Sequence, residues 1–182
     1  NRYTASVGPV GTNDLISAPL VDQTFAAFAT ANPNLAASGT LRAFAPYSTI
    51  NGAYENYDTA LNAATPISAG IGYRAATLNG EALTFSGTAL TATVVLPISD
   101  AAAGNAWNLI GNPYPSYIAF DAFFQLNKDQ FDSGTAYQAI YGYNGDVSNG
   151  WTVWNQATID EGSDIELIAP GQGFFVKAKS GG

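Results

Sequence analysis

The chain has 182 residues, is 47% hydrophobic and 11% charged, and carries a net charge of -8; that is enough apolar material for a core and excludes a disordered polar segment. Its six basic residues, at 2, 42, 74, 128, 177 and 179, are scattered, which excludes the cationic stripe needed against nucleic-acid phosphates or an anionic membrane surface. Cys, His and Met are absent, so thiol catalysis, thiolate metal sites, disulfides and an imidazole base are excluded together.

No apolar run approaches the roughly 20 residues that span a bilayer, so membrane insertion is not expected. No signal peptide is read, and the chain starts at Asn1 in strand-like sequence, as expected of a piece of a longer protein. Residues 93–182 hold nine acids and three bases. The first meaning of that bias is solubility and the second a cation site.

In chain order, Arg2 to Val7 alternates and predicts a strand, broken by Gly8-Pro9. Leu15 to Ala18 predicts a short strand stopped by Pro19, which has no ladder N–H. Asp22 is placed to cap a short helix carrying Phe25 and Phe28. Thr40 to Tyr47 reads as a strand, Asn51-Gly52 as a hairpin turn, and Ala53 to Tyr57 as the return. Gly70 to Ala75 is a strand whose glycines mark a close approach by another backbone or side chain. Two β-branched strands, 82–87 and 91–97, form a connector.

Trp107 to Gly111 is an apolar strand with an abrupt stop, Asn112-Pro113-Tyr114-Pro115. Asp121 is placed to cap a helix through Leu126. Tyr137 to Tyr143 and Trp151 to Trp154 are strands separated by the turns Asn144-Gly145 and Asn149-Gly150, Asp160 to Asp164 is an acidic turn, and 165–168 and 173–178 close the chain as strands.

The two halves repeat the same signals in the same order. Leu15-Ile16 and Pro19 match Leu109-Ile110 and Pro113, and Phe25-x-x-Phe28 with Asn32 matches Phe120-x-x-Phe123 with Asn127. Asn51-Gly52 before Tyr54 and Tyr57 matches Asn149-Gly150 before Trp151 and Trp154, and Gly70-x-Gly72-Tyr73 matches Gly171-x-Gly173-Phe174. We read internal repeats at about 13–80 and 107–182, joined by the β connector 82–97. Each unit has too few strands to bury a core alone. The expectation is therefore one all-β domain over 1–182. It is a two-sheet β-sandwich with a pseudo-twofold and a shared core, edged by two short helices.

Three segments carry a resemblance: Trp107 to Ser116, Ile140-Tyr141-x-Tyr143-Asn144-Gly145, and Ile168-x-Pro170-Gly171-Gln172-Gly173-Phe174-Phe175-Val176. Together they resemble a module of large secreted Bacteroidetes proteins, which usually sits just upstream of the sorting tail read by the type IX secretion system. The first half resembles that module's leading repeat. The resemblance implies export, an extracellular or cell-surface location, and neighbouring domains as partners. It implies no activity.

Two uses of the aromatic residues stand open. Tyr141 and Tyr143 share a strand face, Trp151 and Trp154 lie across a turn, and Asn144 and Asp146 are close in sequence. Exposed rings stack on the CH faces of sugars while amides and carboxylates bond the hydroxyls. The same rings could instead fill the core, because Tyr54 and Tyr57 occupy the matching places in the first half. Asp160, Glu161 and Asp164 could hold Ca²⁺ or form a solvated turn, since they lack the alternating spacing of a calcium loop. No other cofactor is implied. No catalytic residue is read: there is no nucleophile elbow, and Gly70-x-Gly72 and Gly171-x-Gly173 lack the third glycine of a dinucleotide loop.

Two functions follow. One is a non-catalytic spacer or adhesin-like module of an exported protein; the other is a carbohydrate-binding module, with a polysaccharide as partner. Trp107 has the small Asn13 as its counterpart. It is expected to seal one end of the sandwich, to bond a backbone carbonyl through its indole N–H, and to be worth about 3–5 kcal/mol.

Overall fold

A computed structural model describes residues 2–3, 13–78, 80–101, 105–134, 136–143, 150–162 and 166–181. The strands in chain order are β1 Arg2–Tyr3, β2 Asp14–Ser17, β3 Ala37–Ser38, β4 Leu41–Arg42, β5 Phe44–Ser48, β6 Ala53–Tyr54, β7 Gly72–Ala75, β8 Ala82–Leu83, β9 Trp107–Gly111, β10 Ile118–Ala119, β11 Ala139–Tyr143, β12 Trp151–Asn155, β13 Leu167–Ile168 and β14 Gly173–Lys177. The helices are α1 Phe25–Ala31, α2 Phe120–Asn127 and α3 Gln156–Asp160, with a 3₁₀ turn at Lys128–Gln130.

Two four-stranded antiparallel sheets dominate. The first runs β2-β7-β5-β6 and the second β9-β14-β11-β12. The order is the same, and so is the register: Leu15 pairs with Arg74 and Ile16 with Tyr73, as Leu109 pairs with Phe175 and Ile110 with Phe174. Each sheet takes its hairpin on one side and its short helix on the outer face. At the ends of α1 and α2, Asn32 and Asn127 each donate Nδ2 to the carbonyl four residues back, at 2.8 and 2.7 Å. That bond satisfies one of the orphan carbonyls of a helix C-terminus.

The sheets meet along a seam of glycines, and the seam is reciprocal. Ser17 N–H donates to Gly171 O at 2.8 Å, and Gly111 N–H donates to Gly70 O at 2.9 Å. Ile16 bridges Gln172 in one direction and Ile110 bridges Ile71 in the other. A Cβ on Gly173 would stand 2.7 Å from Ile16 N, and one on Gly72 would stand 2.7 Å from Ile110 O. Gly70 and Gly171 both have left-handed backbone, with φ of 77° and 67°, which glycine adopts without strain. Backbone contact of this kind leaves no room for a side chain, so the Gly-x-Gly spacing reads directly as the place where the sheets touch.

The core differs from the single shared one expected. Each sheet has its own, under its own helix. Phe25 and Phe28 pack on Ile16, Phe44, Tyr73 and Ala75, and Phe120 and Phe124 pack on Ile140, Phe174 and Val176. A smaller third cluster lies between the sheets around Leu15, Leu109 and Phe175. Central strands are covered on both faces, which is why Gly173-Phe174-Phe175-Val176 is continuously buried and not alternating. In the first sheet, α1 and the connector residues Leu83 and Phe85 add apolar area to the core.

Several local expectations are corrected. Thr24, not Asp22, is the N-cap of α1, its Oγ1 accepting from Ala27 N–H at 3.3 Å. Asp121 lies inside the first turn of α2 and does not cap it. The second buried ring of α2 is Phe124, a full turn after Phe120, and Phe123 is only partly buried. Among the described residues there are three α-helices, not two, because Asn155 and Thr158 form a reciprocal capping box that starts α3. Only Ala82–Leu83 of the connector is strand, paired with β1, and 91–97 forms no ladder. The stretch read as one strand from Thr40 to Tyr47 is divided at Ala43 into β4 and β5. Of the strand expected over Arg2 to Val7, only Arg2–Tyr3 falls within the described residues.

Candidate functional site: an aromatic cleft between the sheets

From the glycine seam the two sheets diverge toward β6 and β12. Inner-face residues in the gap must be large to fill it, and the chain places aromatics there. The result is a cleft of about 370 Å³ lined by Tyr47 and Tyr54 from the first sheet and Trp107, Tyr141, Trp151 and Phe175 from the second.

Phe175 is the floor, 7% exposed. The ring of Tyr47 stands on it at 5.0 Å and 89°, Trp107 at 6.3 Å and 89°, Tyr54 at 6.3 Å and 72°, and Trp151 at 6.1 Å and 49°. Tyr141 is edge-on to Trp107 at 4.9 Å and 87°. All but the tilted Trp151 pair are the edge-to-face geometries that the ring quadrupoles favour. They make a box with walls, not a coplanar platform. Trp151 is 53% exposed and stands at the mouth.

Polar groups fix the walls from behind. Asn105 Nδ2 donates to the Tyr47 hydroxyl at 3.0 Å, and Thr49 Oγ1 donates to Trp107 O at 2.8 Å. Both bonds cross between the halves and close one flank of the cleft. The Tyr141 hydroxyl donates to Ala136 O. Burial pushes the Tyr54 hydroxyl up to about 12, and burial also raises that of Tyr141. Arg74 lays its guanidinium over the Tyr54 ring at 4.1 Å, and Lys177 sets its ammonium over Tyr137 at 3.5 Å. Lys177 pairs with Asp132 at 2.8 Å, a bond that raises the lysine and lowers the carboxyl.

The predicted aromatic site divides in two. Tyr141 and Trp151 line the cleft, and Tyr143 packs at its edge, 5.0 Å from Trp151. Trp154 does not join them. It points to the opposite face, pairs with Ile140 and stacks 5.5 Å from Phe120 in the core under α2. Asn144 and Asp146 lie outside the described residues. In the first sheet the same division holds, with Tyr54 in the cleft and Tyr57 in the core beside Phe25.

Trp107 is half-buried against Tyr141 and faces the cleft instead of sealing an end. No hydrogen bond from its indole N–H is found among the described residues. The sequence reading missed Tyr47 and Phe175 and gave Tyr54 only a core role. Alternation supplies the missing signal: Phe175 follows the core residue Phe174, so it must point to the other face.

Two of the three residues named for calcium fall within the described residues. Asp160 ends α3 and accepts from Gln156 Nε2 at 2.9 Å, Glu161 is the exposed residue after it, and Asp164 lies outside the described residues. Among the described residues no group of three acids could hold a metal ion, and no helix is long and apolar enough to cross a membrane. The Asn112 corner is structural: its Nδ2 donates to Ser116 O, Ile168 O and Ala169 O at 2.8, 3.1 and 3.2 Å, and its Oδ1 accepts from Tyr114 N–H at 2.9 Å.

Fold and cleft together define an all-β domain of two like sheets with an aromatic box between them. Over residues 14–182 the chain matches the family model described as a domain of unknown function, DUF8693, and it belongs to that family. Neither curated proteins nor solved structures give a match.

Proposed function

We propose that this domain is a non-catalytic accessory module of an exported, extracellular or cell-surface protein, and that it binds carbohydrate through the cleft between its sheets. The carrying observation is that Tyr47, Tyr54, Trp107, Tyr141 and Trp151 surround an open volume of about 370 Å³ over Phe175. A core that only stabilises is packed at near-crystal density. An apolar, ring-lined volume with few polar groups is the usual character of a ligand site. Among the described residues the six lining side chains include no carboxylate, which supports a binding role over hydrolysis. Export and neighbouring domains as partners rest on the resemblance of 107–116, 140–145 and 168–176 to the secreted Bacteroidetes module.

The test is a glycan array on the 182-residue chain. Retention of one sugar class, lost in Trp151→Ala, is the expected result. An array with no retained sugar would leave the spacer or adhesin-like reading in its place.

A further inference from the structure

Resting on the carbohydrate reading, we infer that the cleft takes the terminal ring of a neutral glycan end-on, and does not grip the middle of a chain. Three features carry this.

The first is shape. A chain laid along a protein needs a groove open at both ends or a flat row of rings. Here the sheets touch at the glycine seam, where Gly111 N–H reaches Gly70 O at 2.9 Å, so the gap is blind on that side. The Thr49–Trp107 and Asn105–Tyr47 bonds close a flank. The walls stand nearly perpendicular to the floor, at 89° for both Tyr47 and Trp107. A ring that enters past Trp151 meets Phe175 and stops.

The second is size. A volume of about 370 Å³ lies near the lower end of ligand pockets, which run from about 300 to 1,000 Å³. It has room for a terminal unit or two and not for an extended oligomer.

The third is charge. Perpendicular aromatic walls also suit an alkylated ammonium, held by the ring faces. Here the neighbouring faces already carry protein cations, Arg74 on Tyr54 and Lys177 on Tyr137. Among the described residues, no acid lines the cleft to offset a further positive charge. An anion would face the negative ring faces inside a chain of net charge -8. A neutral ring, with CH groups for the walls and hydroxyls at the mouth, meets neither objection.

The experiment is calorimetric titration of the 182-residue chain with methyl glycosides and linear oligosaccharides of two to six units built from glucose, xylose, mannose, galactose and N-acetylglucosamine. Tetramethylammonium is run as the cationic probe. The expected result is that one monosaccharide or disaccharide already gives full affinity, and that extension to the hexamer changes Kd by less than about threefold. Affinity that climbs about tenfold or more with chain length would overturn end-on binding and leave the carbohydrate reading standing. Tetramethylammonium bound more tightly than every sugar would overturn the neutral-ligand inference, and silence from all probes would overturn both readings.

Discussion

The Tyr47 ring, from one sheet, stands perpendicular to the Phe175 ring, from the other, with centroids 5.0 Å apart. The contact joins the halves beyond the glycine seam and sets the width of the cleft. Tyr47→Ala removes the ring contact and the Asn105 bond together. We expect a loss of about 2–3 kcal/mol in denaturant unfolding, the sum of a partly buried ring and one hydrogen bond. Tyr47→Phe, which keeps the ring, is expected to lose about 1 kcal/mol.

Gly173→Ala places a methyl 2.7 Å from Ile16 N and 2.8 Å from Ile16 O, both backbone atoms that cannot swing aside. The expected cost is about 3 kcal/mol, at the upper end of overpacking. Gly39→Ala is the control. Gly39 has φ of 61° and nothing within 4 Å of the added methyl, so only backbone strain of about 1 kcal/mol applies. Thermal melts of the two variants separate steric closure of the seam from the general effect of losing a glycine.

Asn112→Ala removes the side-chain donor shared by Ser116 O, Ile168 O and Ala169 O and the acceptor for Tyr114 N–H in a buried corner, although Ala169 O keeps Gln172 N–H at 3.0 Å. An expected loss of about 1–2 kcal/mol follows from the lost side-chain bonds. Chemical denaturation checks it. Asn112→Asp is expected to be at least as harmful, because a carboxylate presents acceptors to acceptors.

Alkaline pH acts on the buried phenols. Burial raises Tyr54 from 10.0 to about 12, and Tyr57 and Tyr73 are raised as well. Below about pH 10 both folded and unfolded chains hold these protons, and stability is flat. As pH rises from about 10 toward 12 the unfolded chain releases them first, and stability falls. Phenolate absorbance is therefore expected to show a subset of the ten tyrosines still protonated at about pH 11, titrating only with unfolding. Simple titration of all ten near pH 10 would contradict the burial described.

Much of the fold was legible in the sequence because period and glycine placement carry it. The strands of both sheets, the Asn51-Gly52 hairpin and the close approach at Gly72 and Gly173 all follow from local signals. The separate cores were not legible, since the area contributed by Leu83, Phe85 and the helices depends on tertiary placement. The site was half legible. Tyr141 and Trp151 sit in the cleft, but Trp154, three residues after Trp151, falls on the opposite face of β12. Strand alternation separates the two, whereas sequence proximity joins them. The repeat position and size of Trp107 point to the end of the core, whereas its half-buried position lowers the expected cost of Trp107→Ala to about 2 kcal/mol, with part of its effect moved to binding.

Trp151→Ala tests the account most directly, because stability and binding are predicted to part company at one residue. Trp151 is 53% exposed at the mouth of the cleft. Melting and sugar titration are measured on the same preparation. The account predicts a melting temperature within about 2 °C of the parent and a sugar affinity reduced about tenfold or more, as for an exposed aromatic anchor. A melting temperature lowered by about 5 °C or more with sugar affinity unchanged would make Trp151 a packing residue and would contradict the cleft as the binding site.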